Sequence, residues 1–254
     1  MNLARIRAVF LKELRDYRRN RFVITTMAVL PVIFLIAPMI TLFRIPDSAT
    51  GTLVERAVGV TSLLLLVIPV VIPPVITAYS VVGERDQGTL EPFLTTPVRR
   101  EELLLGKAAA AFVPSVTVAY AIYGIVLLSV KLGAAHVVSS TLLHTPQVLA
   151  QVLFTPLLAA WAIWVGIAMS VRASDVRVAQ QLATLASLPA LGFTALISFQ
   201  VITPSVPLAI GLALALLALD IAGWRIVSSM FDRERLITGT SSQQDTHESS
   251  FQAP

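Results

Sequence analysis

The chain has 254 residues, 56% of them hydrophobic and 13% charged, with a mean hydropathy of +0.79. A water-soluble domain of that balance would carry more apolar surface than one core can hide, so a bilayer is its natural solvent. The lack of cysteine excludes disulfide frameworks, thiolate metal sites and cysteine nucleophiles. The net charge of +4 lies beside apolar runs, not in the aromatic-interleaved patches that bind nucleic acid.

From the N-terminus, Leu3, Ile6, Phe10, Leu14 and Tyr17 recur at three- and four-residue steps, with Arg5, Lys12, Arg15, Arg18 and Arg19 between them. This predicts an amphipathic helix over residues 1–21, lying in the cytosolic interface of the membrane. A basic flank that only directs topology is the plainer alternative. Six apolar runs follow, at 22–43, 58–82, 108–130, 148–171, 178–202 and 206–227, each near the roughly 20 residues a helix needs to span a hydrocarbon core. All are predicted to be helices, because a helix satisfies its backbone internally and none of the runs alternates like a barrel strand. The first is too long for the apolar part of a cleavable signal and is read as a retained span. The expected fold is an all-α integral membrane protein, with a six-span transmembrane domain over residues 22–237. Residues 238–254, rich in Ser, Gln and Thr, bury too little to order themselves and are expected to form a disordered cytosolic tail.

With the N-terminus in the cytosol, 19 basic residues all fall on inner segments except Arg44, Arg56 and Lys131. The positive-inside rule is then obeyed at every crossing, which places both termini in the cytosol and the chain in the cell (inner) membrane. Asp220 is the one acid inside a span, at a cost of about 2.5–3.5 kcal/mol at mid-bilayer on insertion scales. Ion passage, helix pairing, and snorkelling or local pairing with Arg225 all remain open for it. Prolines at 31, 38, 69, 73, 74, 114, 156 and 189 mark either pivots or ordinary kinks, and Gln180 and Gln181 are candidate interhelical hydrogen-bond formers. His136 and His144 sit in the outer loop 131–147 with no third ligand nearby, and read as solvated residues, not a metal site. No catalytic constellation is present: no histidine within a span accompanies the serines as a base.

The inner loop from Gly83 to Glu102 is more elaborate than a connector requires. Helical spacing puts Glu84, Gly88 and Glu91 on one face, while Leu90, Phe93 and Leu94 form an apolar cluster that asks for a partner. Pro92 interrupts a continuous helix and suits a first helical position. The predicted form is one helix continuing span two to Glu91 and a second, short one from Pro92 to before Pro97, presenting Phe93 and Leu94 to a groove.

The run Gly83-Glu84-Arg85-Asp86-Gln87-Gly88-Thr89-Leu90-Glu91, then Thr96-Pro97-Val98-Arg99-Arg100 and Leu105-Gly106-Lys107, resembles the signature of ABC-2 type transporter permeases. Phe10-Leu11-Lys12-Glu13-Leu14 and Phe231-Asp232-Arg233-Glu234-Arg235-Leu236 are similar to that family's flanking pieces. The resemblance implies a dimer of six-helix subunits, a second permease copy or a paralogue completing it, on two cytosolic nucleotide-binding subunits that hold ATP and Mg. It also implies that the loop 83–107 carries the coupling element, with Glu84, Gly88, Thr89, Leu90 and Glu91 matching the core and Pro97, Arg99, Arg100, Gly106 and Lys107 its continuation. Pro92 departs from the pattern, and the short turn at 203–205 leaves no room for the re-entrant helices of polysaccharide and sterol exporters. The chain has no Gly-x-x-x-x-Gly-Lys-Ser/Thr run and so no phosphate cradle of its own; it is expected to carry no cofactor and to be no enzyme by itself. An exporter subunit is therefore the leading expectation, and a membrane anchor or signalling partner for a cytosolic protein the alternative.

Overall fold

The computed structural model describes residues 2–84, 99–198 and 205–230, and these are helical with no strand among them. In chain order the helices are α1 (Leu3–Arg19), α2 (Arg21–Phe43), α3 (Gly51–Thr77), α4 (Arg100–Gly133), α5 (His136–Leu142), α6 (Thr145–Arg172), α7 (Val176–Ser198) and α8 (Val206–Met230). A π-turn, Tyr79–Gly83, continues α3 toward Glu84.

Five of these, α2, α3, α4, α6 and α8, are long and apolar enough to cross a membrane. α3 is the most buried of the five and packs on α6, α7, α2 and α4. α2 and α8 keep much of their surface open, with Ile33, Ile36, Leu214 and Ile226 all exposed, as expected of helices whose outer face is solvated by lipid. α7 is 23 residues long, but Arg177, Gln180, Gln181, Thr184 and Ser187 dilute its apolar content, so over the described residues it falls short of the other five. The proposed tail 238–254 and the turn 203–204 lie outside the described residues.

Two local devices shape the ends. Asn20 separates α1 from α2 by itself: its backbone N–H donates to the carbonyls of Asp16 and Tyr17, while its side-chain oxygen accepts from Phe22 N at 3.0 Å and Val23 N at 3.3 Å. An asparagine cap of this kind contributes about 1 kcal/mol. α4 runs for 34 residues, roughly 50 Å at 1.5 Å per residue, well beyond a hydrocarbon core. It therefore begins eight residues before the predicted span, and its first two turns are free to receive α1. The outer loop 131–147, expected to be plain loop, contains α5; Val138 and Leu142 are buried there, and His136 N donates to Asp47 Oδ1 at 2.9 Å.

α1 is a helix as expected, and the face it buries against protein takes in part of the predicted apolar stripe together with Val9 and Glu13. The buried stripe is Val9, Glu13 and Tyr17, with Phe10 and Leu14 partly buried beside it, while Leu3 is 81% exposed. The reason is the partner: α1 lies against the first turns of α4, and that surface carries a lysine.

Candidate functional site

The close approach of α1 to α4 occurs at Gly106, where a Cβ would meet Val9 Cβ and Cγ1 at 2.6 Å. Absence of a side chain there lets α1 come near enough for charges to pair around the next residue. Lys107, only 2% exposed, has its Nζ 2.9 Å from Glu13 Oε1 and 2.9 Å from Glu84 Oε1. Lys12 completes the group, with its Nζ 2.6 Å from Glu84 Oε1, 3.2 Å from Glu13 Oε1 and 3.5 Å from Asp16 Oδ2. Two ammonium groups are thus shared by two buried carboxylates, and the quartet is neutral. Taking four charges from water costs several kcal/mol per ion, which mutual attraction offsets only in close, multiply bonded geometry such as this.

The four partners come from three separate stretches of chain. Lys12 and Glu13 are on α1, Lys107 is on α4, and Glu84 is the first residue after the π-turn. Glu102 adds a second clamp: its Oε1 accepts from Asn2 N at 2.6 Å and its Oε2 from Arg99 N at 3.2 Å, with Arg5 Nη1 at 3.6 Å. One carboxylate therefore closes the first turns of both α1 and α4.

The stem of the loop is also tied to α6. At the π-turn, Ser170 Oγ accepts from Val82 N at 3.2 Å while donating to Ala78 O at 3.0 Å. Both backbone groups are satisfied by one hydroxyl from α6, as a π-turn requires. One turn away, Gly166 lies so near α3 that a Cβ would collide with Thr77 Oγ1. Ser170→Ala should leave Val82 N–H without its acceptor, at about 1–3 kcal/mol, seen as faster hydrogen exchange over residues 79–84; unchanged exchange would show that the hydroxyl is dispensable.

The charges are mutually adjusted. Burial pushes Glu13 up, but the ammonium groups of Lys107 and Lys12 together hold its carboxyl below the usual 4.5. For Lys12 burial acts downward and is outweighed by Glu13 and Glu84, so its pKa stands above 10.5. Burial, and next the Glu13 carboxylate, drive the Tyr17 hydroxyl well above its normal value, keeping it neutral. A carboxylate with a lowered folded pKa stabilises above its unfolded value and loses that contribution as pH falls through the folded one; a lysine with a raised pKa stabilises below its unfolded value and loses it at higher pH. Stability against pH should therefore be flat between about 4.5 and 10.5 as far as these two groups are concerned and fall on the acid side. Glu13→Gln should reduce that acid slope in thermal melts; an unaltered slope would mean that Glu13 does not carry it.

Of the sequence-predicted loop residues, Glu84 is buried in this cluster, while Arg99 and Arg100 are exposed at the start of α4. Gly88, Thr89, Leu90, Glu91, Phe93, Leu94 and Pro97 lie outside the described residues, as does the predicted break at Pro92. Asp220 is on the buried face of α8 with Leu216, Gly223 and Val227. Neither of its oxygens has a hydrogen-bond partner among the described residues, and Arg225 is exposed and forms no ion pair with it among them. In the sequence Lys12 and Glu13 stand in the run Phe10–Leu14, Lys12 also among the basic residues of the amphipathic stretch, and nothing local assigns either to Glu84.

Long apolar helices joined at one end by a buried, neutral charge cluster define a multi-pass helical membrane protein with a mechanically tied loop stem. A family model described as ABC-2 family transporter protein matches residues 7–231, and the chain belongs to that family. It is accordingly the permease, the membrane component, of an ABC transporter. Comparison with curated proteins finds no match.

Proposed function

We propose that this permease works as an exporter subunit, driven by ATP that separate cytosolic nucleotide-binding subunits hold with Mg and hydrolyse. It crosses the cell (inner) membrane six times, α7 and the residues after it making the fifth crossing, with both termini in the cytosol and α1 along the cytosolic interface. The distribution of arginine and lysine supports that orientation. A second permease copy or a paralogue completes the pathway.

One observation carries the reading: the stem of the loop 83–107 is bonded at once to α1, α4 and α6 through Glu84 and Val82. A push that a nucleotide-binding subunit delivers through the loop to Glu84 would be passed on to the helices bonded to the stem. Packed elements of this kind shift as units instead of deforming. Glu91, Phe93 and Leu94 supply the contact to the partner, and Glu84 transmits it.

Co-purification with candidate ATP-binding subunits, followed by ATPase measurement, tests this. The wild-type chain should retain and stimulate its cognate subunit; Glu91→Ala should weaken retention, and Glu84→Ala should lower stimulation with retention largely intact. A wild-type chain that neither retains nor stimulates any such subunit would overturn the proposal.

A further inference from the structure

α6 and α8 pack side by side, and between them runs an apolar groove of about 380 Å³, lined by Leu153, Pro156 and Leu157 from α6 and Ala213, Leu214 and Leu217 from α8. That volume lies within the range of small-molecule sites. The stripe that lines it continues along both helices at three- and four-residue steps. On α8 the next positions after Leu217 are Asp220 and Trp224, and on α6 those after Leu157 are Trp161 and Trp164. The two helices stay in register over this stretch. Trp161 packs in the same apolar cluster as Ala213 and Leu216, and one turn on, a Cβ at Gly223 would meet Trp164 Cβ at 3.1 Å, with the Trp164 and Trp224 rings 5.4 Å apart, edge to face.

Along the stripe beyond the groove, Asp220 therefore lies on the buried face of α8 between Leu216, in one cluster with Trp161, and Gly223, which packs on Trp164. Asp220 is 93% buried by the complement of its 7% exposure, and both its oxygens lack a partner among the described residues, as does Trp161 Nε1. A buried carboxylate with no counter-ion among the described residues asks for a positive donor, and aromatic faces favour an organic cation over a hydrated metal ion. The apolar groove asks for a hydrocarbon body.

We propose that the α6–α8 groove binds an amphiphilic amine, its hydrocarbon chain between Leu153, Leu157 and Leu214 and its ammonium on Asp220 beside Trp161, Trp164 and Trp224. The occupant is a free lipophilic amine, not the headgroup of a bilayer lipid. At 1.5 Å per residue, Asp220 lies roughly 10 Å inside the end of the apolar run at residue 227, deeper than an ammonium anchored beside a phosphate sits. The site is a property of this chain alone and stands or falls separately from the exporter reading.

All three tryptophans of the chain are 161, 164 and 224, so intrinsic fluorescence reports on this site. The full-length chain, purified without nucleotide-binding subunits into phosphatidylcholine nanodiscs, is titrated with dodecylammonium and with the neutral dodecanol. Dodecylammonium should give a saturable change that Asp220→Asn weakens at least about tenfold, the loss of one charge-assisted contact, and dodecanol should not distinguish the two proteins. Ala213→Phe, which fills the groove and keeps the acid, should abolish saturation, so the result does not depend on Asp220→Asn folding. Equal binding of amine and alcohol by the wild type would make this an ordinary lipid groove and overturn the proposal. So would undiminished binding by either variant, or a wild type that shows no saturable change because a second copy closes the groove.

Discussion

Lys107→Met is expected to lower the stability of the protein by about 3–5 kcal/mol, the range seen when one member of a buried ion cluster is removed. In nanodiscs this should appear as a fall in Tm on the order of 10 °C. The cause is what remains. Glu13, buried, would lose the nearer of its two ammonium partners among the described residues and keep the half-exposed Lys12 at 3.2 Å, so its negative charge is less well compensated away from water. Removing one carboxylate as well should restore the balance: Lys107→Met with Glu13→Gln should be less destabilised than Lys107→Met alone, a non-additivity of about 0.5–3 kcal/mol for residues in contact. Strict additivity of the two substitutions would show that Lys107 and Glu13 do not act on each other and that the cluster is not a unit. If the proposed coupling holds, the same double variant should recover stability without recovering stimulation of the ATPase, because the ion pair between Glu13 and Lys107 is gone while the Glu102 clamp is left to join α1 to α4.

The second large effect belongs to a single methyl group. Gly106→Ala places a Cβ 2.6 Å from both Cβ and Cγ1 of Val9 and 3.2 Å from Ile6 O. Since Val9 Cβ is fixed to its backbone, no rotamer change relieves the collision, and α1 must lift from α4. Overpacking of this sort costs about 1–3 kcal/mol, and it should carry Lys12 and Glu13 away from their partners, leaving α1 more open to protease than in the wild type. Val9→Ala should not rescue the variant, because the offending Cβ persists; Val9→Gly should, less the roughly 1 kcal/mol that glycine costs a helix. Rescue by Val9→Ala would mean that the close contact is with the side-chain tip and that α1 sits farther from α4 than described.

Periodicity and hydropathy locate what the bilayer dictates. The run 22–43 and α2 differ by one residue, because lipid selects the same apolar length that defines the helix. Where solvent changes, the same criterion fails. α3 starts at Gly51, seven residues before the predicted span, since Thr52, Glu55 and Arg56 are polar yet still helical beyond the hydrocarbon, and the early start of α4 at Arg100 has the same origin. α5 has too few turns for a period to show. The apolar stripe of α1 is legible from spacing, but the burial of Glu13 beside it is not, because Glu13 is buried to meet Lys107, 94 residues away. Spacing within a segment cannot register a bond over such a separation. The loop was recognisable from its residues, but the clamp on Glu84 exists only once α1, α4 and the end of α3 are brought together. That neither oxygen of Asp220 has a partner among the described residues likewise depends on its neighbours, since Arg225 at five residues' distance falls off the face it occupies.

The junction at Asn20 has a mechanical corollary. A lone residue whose peptide N–H finishes one rod and whose amide oxygen starts the next leaves no tether to take up play. Any tilt of the first rod must therefore turn the second at its root, and two glycines spliced in after this elbow should let the first swing without dragging the second along.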